Sequence, residues 1–366
     1  MKLTMKTAEL AQALYHANAV ADWKSAMPIL AHVLLQADAN EVVVSAIDRD
    51  TGVSGRYDAQ VEIPGAVAVH GWQFYGIVKA LPAEEVALSV EEDGGLVVRS
   101  GQSKFCLDTT PASEFPALPV CVPDSTVAVA THEIAQLIDR TIYCASTDPT
   151  RHNLCGVSVE IEGNSLRFVA TDNHRLALAE KALDATVNDR AGLLPASALA
   201  ALARAIGRKP NGGSVRAGYT AATPGSWTFQ LYNTTVVARE LPEQFPNYRR
   251  AIPTSHNGRA YVYAPALAEA LKRLCGVGRG KKERPVSVCF SPDTLTLNRG
   301  TAAETLAVPY SGPSLTIGFN ARYIIEALMR VPDMATLSIQ EDALSPIVIR
   351  PLEEEGLLAV IMPMRI

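Results

Sequence analysis

The chain has 366 residues, of which 48% are hydrophobic and 19% charged, with a formal net charge of −5. This excludes a disordered chain and leaves room for two or three domains of ordinary size. It also excludes a protein that holds nucleic acid through a large overall basic excess, so any DNA role must rest on local basic patches or on something other than affinity. Six cysteines (Cys106, Cys121, Cys144, Cys155, Cys275 and Cys289) form no C-x-x-C pair and stand at no metal-ligand spacing from a histidine. They read as small buried hydrophobes in a reducing compartment, with no metal and no cofactor implied. The first residues, Met1 to Glu9, lack an apolar signal core, and no run approaches the roughly 20 apolar residues of a membrane helix. A cytoplasmic protein is expected.

In chain order, the first predicted helix runs from Thr7 to Ala21, with Thr7 as its N-cap and Leu10, Ala13 and Leu14 on one face. Its Ala11-Gln12 pair returns as Ala135-Gln136 and Ala268-Glu269, at offsets of 124 and 133 residues. A second helix family spans Gly71–Leu81, Ala196–Ile206 and Ala321–Val331; the residue that stops each helix, Pro82, Gly207 or Pro332, falls 125 residues after the one before. Strands ending in polar turns recur at Val42–Asp48, Leu166–Asp172 and Leu295–Asn298, and Phe115-Pro116, Phe245-Pro246 and Met362-Pro363 close the three units. Alternating runs such as Val86–Val90 and Trp227–Leu231 fill the space between as half-buried strands. The period is too long for a solenoid unit. The chain therefore reads as α+β, three tandem copies of one domain covering 1–122, 123–253 and 254–366, each a sheet with helices on one side.

The centre of the chain carries an apolar strand from Arg167 to Thr171, a turn at Asp172-Asn173, and a second strand opening with His174, Arg175 and Leu176. The loop after each first helix is basic: Lys24, then Arg151 with His152 and Asn153, then Arg279, Lys281, Lys282 and Arg284. Further cations (Lys79, Arg204, Arg208, Lys209, Lys272, Arg273, Arg322 and Arg330) lie along predicted helices. The glycine-rich 276–282 loop fails as a phosphate-binding loop, because Lys282 stands where Ser or Thr should hold magnesium. Asp172 and His174 could imitate part of a hydrolase triad. However, the chain has no G-x-S-x-G elbow, no H-E-x-x-H and no carboxylate cluster at metal spacing.

Three strings, Arg167–Leu178, Gln244–Pro253 and Val360–Ile366, together resemble signature segments of the bacterial sliding clamps, the beta subunits of DNA polymerase III. The resemblance runs from Met1 to Ile366. It implies three clamp-type domains with sheets outside and helices inside, two chains closing head to tail as a homodimeric ring around duplex DNA, and a non-catalytic processivity role. It also implies one pocket that receives peptides from the replicative polymerase, clamp-loader subunits, and repair and translesion polymerases. By match, the pocket residues are Leu154, Thr171, Asn173, His174, Arg175, Leu176, Pro246, Arg250, Ala251, Val360, Met362, Pro363, Met364 and Arg365. Leucines, methionines and prolines suit an adaptable apolar floor, and Arg175 and Arg250 could donate to peptide oxygens. Asn173 replaces a frequent glycine, which Asn tolerates if left-handed, and Ala251 replaces a larger aliphatic residue. The resemblance assigns DNA contact to Lys24, Arg151, His152, Asn153, Arg279, Lys281 and Lys282, with His152-Asn153 where some clamps carry paired tyrosines. It assigns the subunit interface to Phe105 and Leu107 on one side and Leu274 and Val277 on the other, with Gly276 where a bulky residue is expected. A clamp-like protein that binds partners without encircling DNA is a further reading.

Overall fold

The computed structural model describes residues 1–366 except 93, 119–121, 185, 208–211, 221–224, 277–284 and 366. In the first repeat, β1 (Lys2–Lys6), α1 (Thr7–Ala17), β2 (His32–Asp38), β3 (Glu41–Ile47) and β4 (Thr51–Asp58) precede a short β5 (Gln60–Ile63). Then come β6 (Gly65–His70), α2 (Gly71–Lys79), β7 (Glu85–Val90), β8 (Leu96–Ser100), β9 (Ser103–Leu107) and a short β10 (Thr109–Pro111). The second repeat opens with β11 (Ser125–Ala130), α3 (Thr131–Asp139), β12 (Gly156–Glu162), β13 (Ser165–Thr171) and β14 (Arg175–Ala182). It continues with β15 (Arg190–Pro195), α4 (Ala196–Ile206), β16 (Ser214–Tyr219), β17 (Ser226–Leu231) and β18 (Thr234–Arg239). The third holds β19 (Gly258–Tyr263), α5 (Ala264–Gly276), β20 (Pro285–Ser291), β21 (Thr294–Arg299), β22 (Ala302–Ala307) and a short β23 (Tyr310–Ser311). It ends with β24 (Leu315–Asn320), α6 (Ala321–Leu328), β25 (Met334–Ile339), β26 (Ile347–Pro351) and β27 (Leu357–Ile361). Each repeat is thus one strand–helix–three-strand unit, used twice.

The helices form where the sequence placed them, α4 over its full expected length and α1, α2 and α6 with shorter C-terminal ends. The first stops at Ala17, its N-cap is Lys6, and the Thr7 hydroxyl is buried with no hydrogen-bond partner. In α4 the run Ala196–Ile206 has high intrinsic helix propensity, and Gly207 ends it at φ 80°, its N–H bonding the Ala203 carbonyl. Asn320 caps α6, its side-chain oxygen accepting from the Arg322 N–H at 3.1 Å.

The sheets are not confined to single repeats, and here the structure departs from the expectation of one sheet per copy. The chain divides into two compact units, residues 1–135 with 194–242 and residues 136–193 with 243–366, so the second repeat contributes to both. In the first unit, β4 pairs antiparallel with β18, fusing strands of the first and second repeats into a nine-stranded sheet, β10-β6-β2-β3-β4-β18-β17-β16-β11. In the second unit, β14 pairs antiparallel with β27, fusing the second and third repeats in the order β15-β12-β13-β14-β27-β26-β25-β19-β23. A five-stranded sheet ending in β9 and a four-stranded sheet ending in β22 complete the set. The helices cover the sheets with apolar stripes. In the third repeat, Leu267, Leu271 and Leu274 of α5 and Ile324 and Leu328 of α6 join Phe290 and Phe319 in one core. Each such side chain contributes about 2 kcal/mol on burial.

Candidate partner-binding pocket and nucleic-acid surface

The turn between β13 and β14 is built by its own side chains. One oxygen of Asp172 accepts from the His174 N–H at 2.9 Å and the Arg175 N–H at 3.0 Å, and the Thr171 hydroxyl donates to the Arg175 carbonyl at 2.8 Å. Asn173 sits at φ 71°, the left-handed conformation its place in the turn requires. The turn holds the first residues of β14 against the end of β27, with Leu176 opposite Val360, and the Met362 N–H donates to the His174 carbonyl at 2.9 Å. Leu176 and Val360 belong to a cluster on one sheet face with Val169, Leu178, Tyr248 and Val348, against which Phe245, Ile252 and Leu358 pack. Pro246 stands half-buried in the segment that crosses this face, Met362 is 40% exposed, and Pro363 and Met364 are half-buried beside it. The Met364 N–H bonds the Gly318 carbonyl at 2.8 Å, which fixes the tail.

Arg175 apart, the pocket residues expected from the sequence fall into three groups. Thr171, Asn173, His174, Leu176, Val360 and Met362 come together at the β14·β27 end, with Pro246, Pro363 and Met364 close by along the chain. Leu154 is buried, 2% exposed, in the short 3-10 turn His152–Leu154. Arg250, Ala251 and Arg365 are exposed.

Arg175 has a different role from the one read in the sequence. It is 6% exposed, and each of its three nitrogens has a partner within the chain: Nε donates to Asp172 at 3.1 Å, one Nη to Glu326, and the other Nη to the Tyr143 carbonyl at 2.6 Å. The rings of Tyr143 and Tyr323 lie 5.2 and 4.5 Å from the guanidinium carbon. Burial opposes its charge, but Cys144, Glu326 and Asp172 outweigh it, and the pKa is raised. Burial pushes the Cys144 thiol up to about 12, so that neighbour is uncharged at neutral pH. Burial also opposes the Glu326 charge, yet Arg322 and Arg175 hold its carboxyl below the ordinary value. Arg175 is thus a buried strut of the turn, held on all three nitrogens by the chain itself. His174 is exposed, with its ring stacked on Tyr323 at 6.3 Å and 21°. Asp172 spends one oxygen on backbone N–H groups and the other on Arg175, so no Asp172–His174 ring pair of the catalytic kind exists.

A cavity of about 690 Å³ opens further along β14 and β27, between Leu178, Leu358, Tyr248, Ile252 and a charged rim that includes Arg249 and Arg350. Gly356, at φ 80°, lets the chain enter β27 here, because a Cβ would meet the Glu180 carbonyl at 2.6 Å. Sequence reasoning missed this cavity. Its walls come from strands whose pairing was not legible.

Of the basic residues, Lys24 is exposed, with Nζ 4.7 Å from the centre of the Trp23 ring. Arg151 is exposed but tied at 3.5 Å to Asp148 and at 3.4 Å to the Asp172 carbonyl; His152 is exposed and Asn153 half-buried. Arg279, Lys281, Lys282, Arg284, Arg208, Lys209 and Val277 lie outside the described residues. Of the cations predicted on helices, Lys272 pairs with Glu269, Arg273 with Glu304, Arg322 with Glu326 and Arg330, just past α6, with Asp139. These four cations are partly neutralised within the chain. Phe105 is 39% exposed on the edge strand β9, whereas Leu107 and Leu274 are already buried, at 8% and 5%. Gly276 is exposed, and a Cβ added there meets nothing within 4 Å. Among the described residues no group of His, Cys, Asp and Glu could hold a metal ion, and no helix is long and apolar enough to cross a membrane.

Family models described as the N-terminal, central and C-terminal domains of the DNA polymerase III beta subunit match residues 1–119, 128–247 and 249–365. The beta sliding clamp of Caulobacter vibrioides is 32% identical over 381 residues, covering 100% of both chains. The solved beta subunit from Thermotoga maritima superposes with a TM-score of 0.91 at 28% identity, covering 100% of this chain and 99% of that one. A sliding clamp from Pseudomonas aeruginosa bound to griselimycin superposes with a TM-score of 0.89 at 25% identity over 100% of both chains. Three repeats in one order, a non-catalytic turn at Asp172–Arg175 and these matches agree: the chain belongs to the DNA polymerase III beta subunits, the bacterial beta sliding clamps, which are non-catalytic processivity subunits of replication.

Proposed function

We propose that two copies of this chain close head to tail around duplex DNA in the cytoplasm. In that ring the β14·β27 end would hold peptides from the replicative polymerase, clamp-loader subunits, and repair and translesion polymerases. The domain limits we assign are 1–122, 123–253 and 254–366. The observation that carries the ring is the pairing rule of the sheets. The last strand of a repeat's first half joins the last strand of the next repeat's second half, β4 to β18 and β14 to β27. On that rule, β22 and β9, both at sheet ends, are left as complementary edges for a second copy.

The register follows from the same rule. Gly55 stands opposite Thr234 at one joint and Ala179 opposite Leu357 at the other. Counted from the preceding hairpins, the equivalents at the free edges are Glu304 and Ser103. Lys104 then meets Ala303 of the second copy, and Phe105 meets its Ala302. An apolar cavity of about 700 Å³ between Ile77, Leu81, Phe105 and Leu107 lies beside β9, ready for apolar side chains of that copy. Retention by a closed ring needs no tight DNA affinity, which accords with a net charge of −5.

Two measurements test this. Oxidation of a Lys104→Cys, Ala303→Cys protein should give covalent dimers, whereas Lys104→Cys with Ala302→Cys, one residue out of register, should give few. Loaded on nicked circular or linear DNA and then oxidised, the Lys104→Cys, Ala303→Cys protein should stay on the circle in high salt while it slides off the linear DNA. Equal loss from both DNAs would defeat the ring reading.

A further inference from the structure

The first unit carries an array of exposed rings and cations that the fold does not require. Trp23 and Trp72 are 67% and 64% exposed, and Tyr15 is 44% exposed. The Trp72 ring lies 6.3 Å from Tyr75, which lies 6.2 Å from Tyr15. Each end and turn of this run carries a cation on a ring face: Lys24 at 4.7 Å from Trp23, Lys79 at 5.8 Å from Tyr75 and Arg204 at 5.1 Å from Tyr15. Trp23, Trp72 and Arg204 also border one cavity of about 500 Å³, floored by Val20 and Ala31. Two large indoles left in water are costly unless something covers them.

The repeat supplies an internal control. The positions equivalent to Tyr15 hold Asp139 and Lys272, those equivalent to Trp72 hold Ser197 and Arg322, and those equivalent to Tyr75 hold Ala200 and Ile325. The same helices pack in the other repeats without any of these rings. The rings therefore answer to something other than folding.

The two carboxylates bordering the cavity are engaged with backbone. An oxygen of Asp22 accepts from the Lys24 N–H at 3.0 Å, and one of Asp48 accepts from the Asp50 and Thr51 N–H groups at 2.8 and 2.6 Å. Burial additionally pushes the Asp48 carboxyl up. The cations stand on flexible stems over ring faces, where they can swing to a phosphate while the rings stay exposed. Aromatic faces interleaved with cations are what an unpaired strand needs: every base has a stacking face, and every linkage has a charge. A duplex offers no free base face, and an apolar peptide has no use for three cations.

We propose that the Trp23–Trp72–Tyr75–Tyr15 run binds single-stranded DNA, with bases stacked on the two tryptophans and phosphates met by Lys24, Lys79 and Arg204. This rests on the reading of the chain as a DNA-handling clamp and adds a second DNA form to it.

The test is fluorescence anisotropy of a labelled oligothymidylate of about 15 nucleotides with the full-length protein, unloaded. Trp23→Ala with Trp72→Ala should weaken binding at least tenfold, and Trp23→Phe with Trp72→Phe should stay within about threefold of wild type. Lys24→Ala with Arg204→Ala should flatten the salt dependence. An abasic oligonucleotide of equal length should bind wild type as weakly as thymidylate binds the double alanine variant. Trp227, 1% exposed in β17, remains in every variant and reports through its emission that the fold is intact. Equal thymidylate affinity in wild type and the alanine variant overturns the proposal, as does equal wild-type affinity for the abasic strand. Loss of peptide binding in the alanine variant with thymidylate binding unchanged also overturns it and gives the rings to a protein partner. Retention on circular duplex is scored separately, so failure of the ring reading would show there and not in the oligonucleotide titration.

Discussion

The joints β4·β18 and β14·β27 are the same piece of backbone with different side chains. Both begin at an aspartate whose oxygen accepts two backbone N–H groups, Asp48 from Asp50 and Thr51, Asp172 from His174 and Arg175. Both are closed by one bond into the turn, the Arg239 N–H to the Asp50 carbonyl at 2.7 Å and the Met362 N–H to the His174 carbonyl at 2.9 Å. Where the second joint has Arg175, Leu176 and Leu178 facing Val360 and Leu358, the first has Thr51, Gly52 and Ser54 facing Val237 and Thr235. Thr51, the equivalent of Arg175, makes a 3.3 Å hydroxyl contact with Ser197 instead, and the equivalent of Glu326 is Ala201, so the first joint has no such ion pair. Sheet closure thus needs only main-chain bonds and register, whereas a peptide pocket needs particular side chains laid over that frame.

The largest expected break in this comparison is at the buried guanidinium. Arg175→Ala strands Glu326 and Asp172 and should cost about 3 kcal/mol in urea unfolding, against about 1 kcal/mol for Thr51→Ala. Similar losses at both joints would mean that the arginine is not the strut described. Next comes the floor. Removing residues 362–366, or making Leu176→Ala, should cost about 2 kcal/mol in calorimetric titration of a peptide bearing a glutamine and spaced leucine or phenylalanine side chains. Gly52→Ala at the other joint should leave that titration unchanged. The paired aspartates sharpen the contrast by sign. Asp172→Asn weakens a buried ion pair and should destabilise by about 1–2 kcal/mol. Asp48→Asn keeps an acceptor for its turn and removes a carboxylate that burial disfavours, so it should be neutral or stabilising by up to about 1 kcal/mol.

The smallest effect is the pH response. Glu326 is held below its ordinary value of 4.5, so its contribution is complete above that value and is lost as pH falls through the lower, folded one. Asp48, raised above its ordinary 3.8, acts the other way: its ionisation costs stability as pH rises through the folded value. Unfolding titrations of Glu326→Gln and Asp48→Asn should therefore differ from wild type with opposite slopes at acid pH.

The repeat was legible in the sequence because its markers are local: a proline or glycine stops each helix wherever the rest of the chain lies. The turn at Asp172-Asn173 was legible for the same reason, including the left-handed Asn173. What escaped was non-local. The resemblance put Leu176 and Val360 in one pocket, but nothing near either shows that their strands pair, so each repeat was expected to close its own sheet, and two of the sheets span repeats instead. Arg175 read as a ligand donor because Glu326, its partner, lies 151 residues away. The aromatic strip was missed for a like reason. Trp23 was visible beside Lys24, but Trp72 is remote in sequence, and only the packing of α1 on α2 puts the two at one cavity.

The unpaired edges β9 and β22 bear on what the chain does before it finds its partner. A protein that carries two complementary strand edges can add copies end to end without limit, and only the angle accumulated along each chain decides between a closed ring and a growing filament. On the ring reading, the twist at β4·β18 and at β14·β27 contributes to that angle. On that reading, substitutions that change twist at these joints should act as assembly mutations, favouring open-ended oligomers over the closed ring while the contacting edges stay intact.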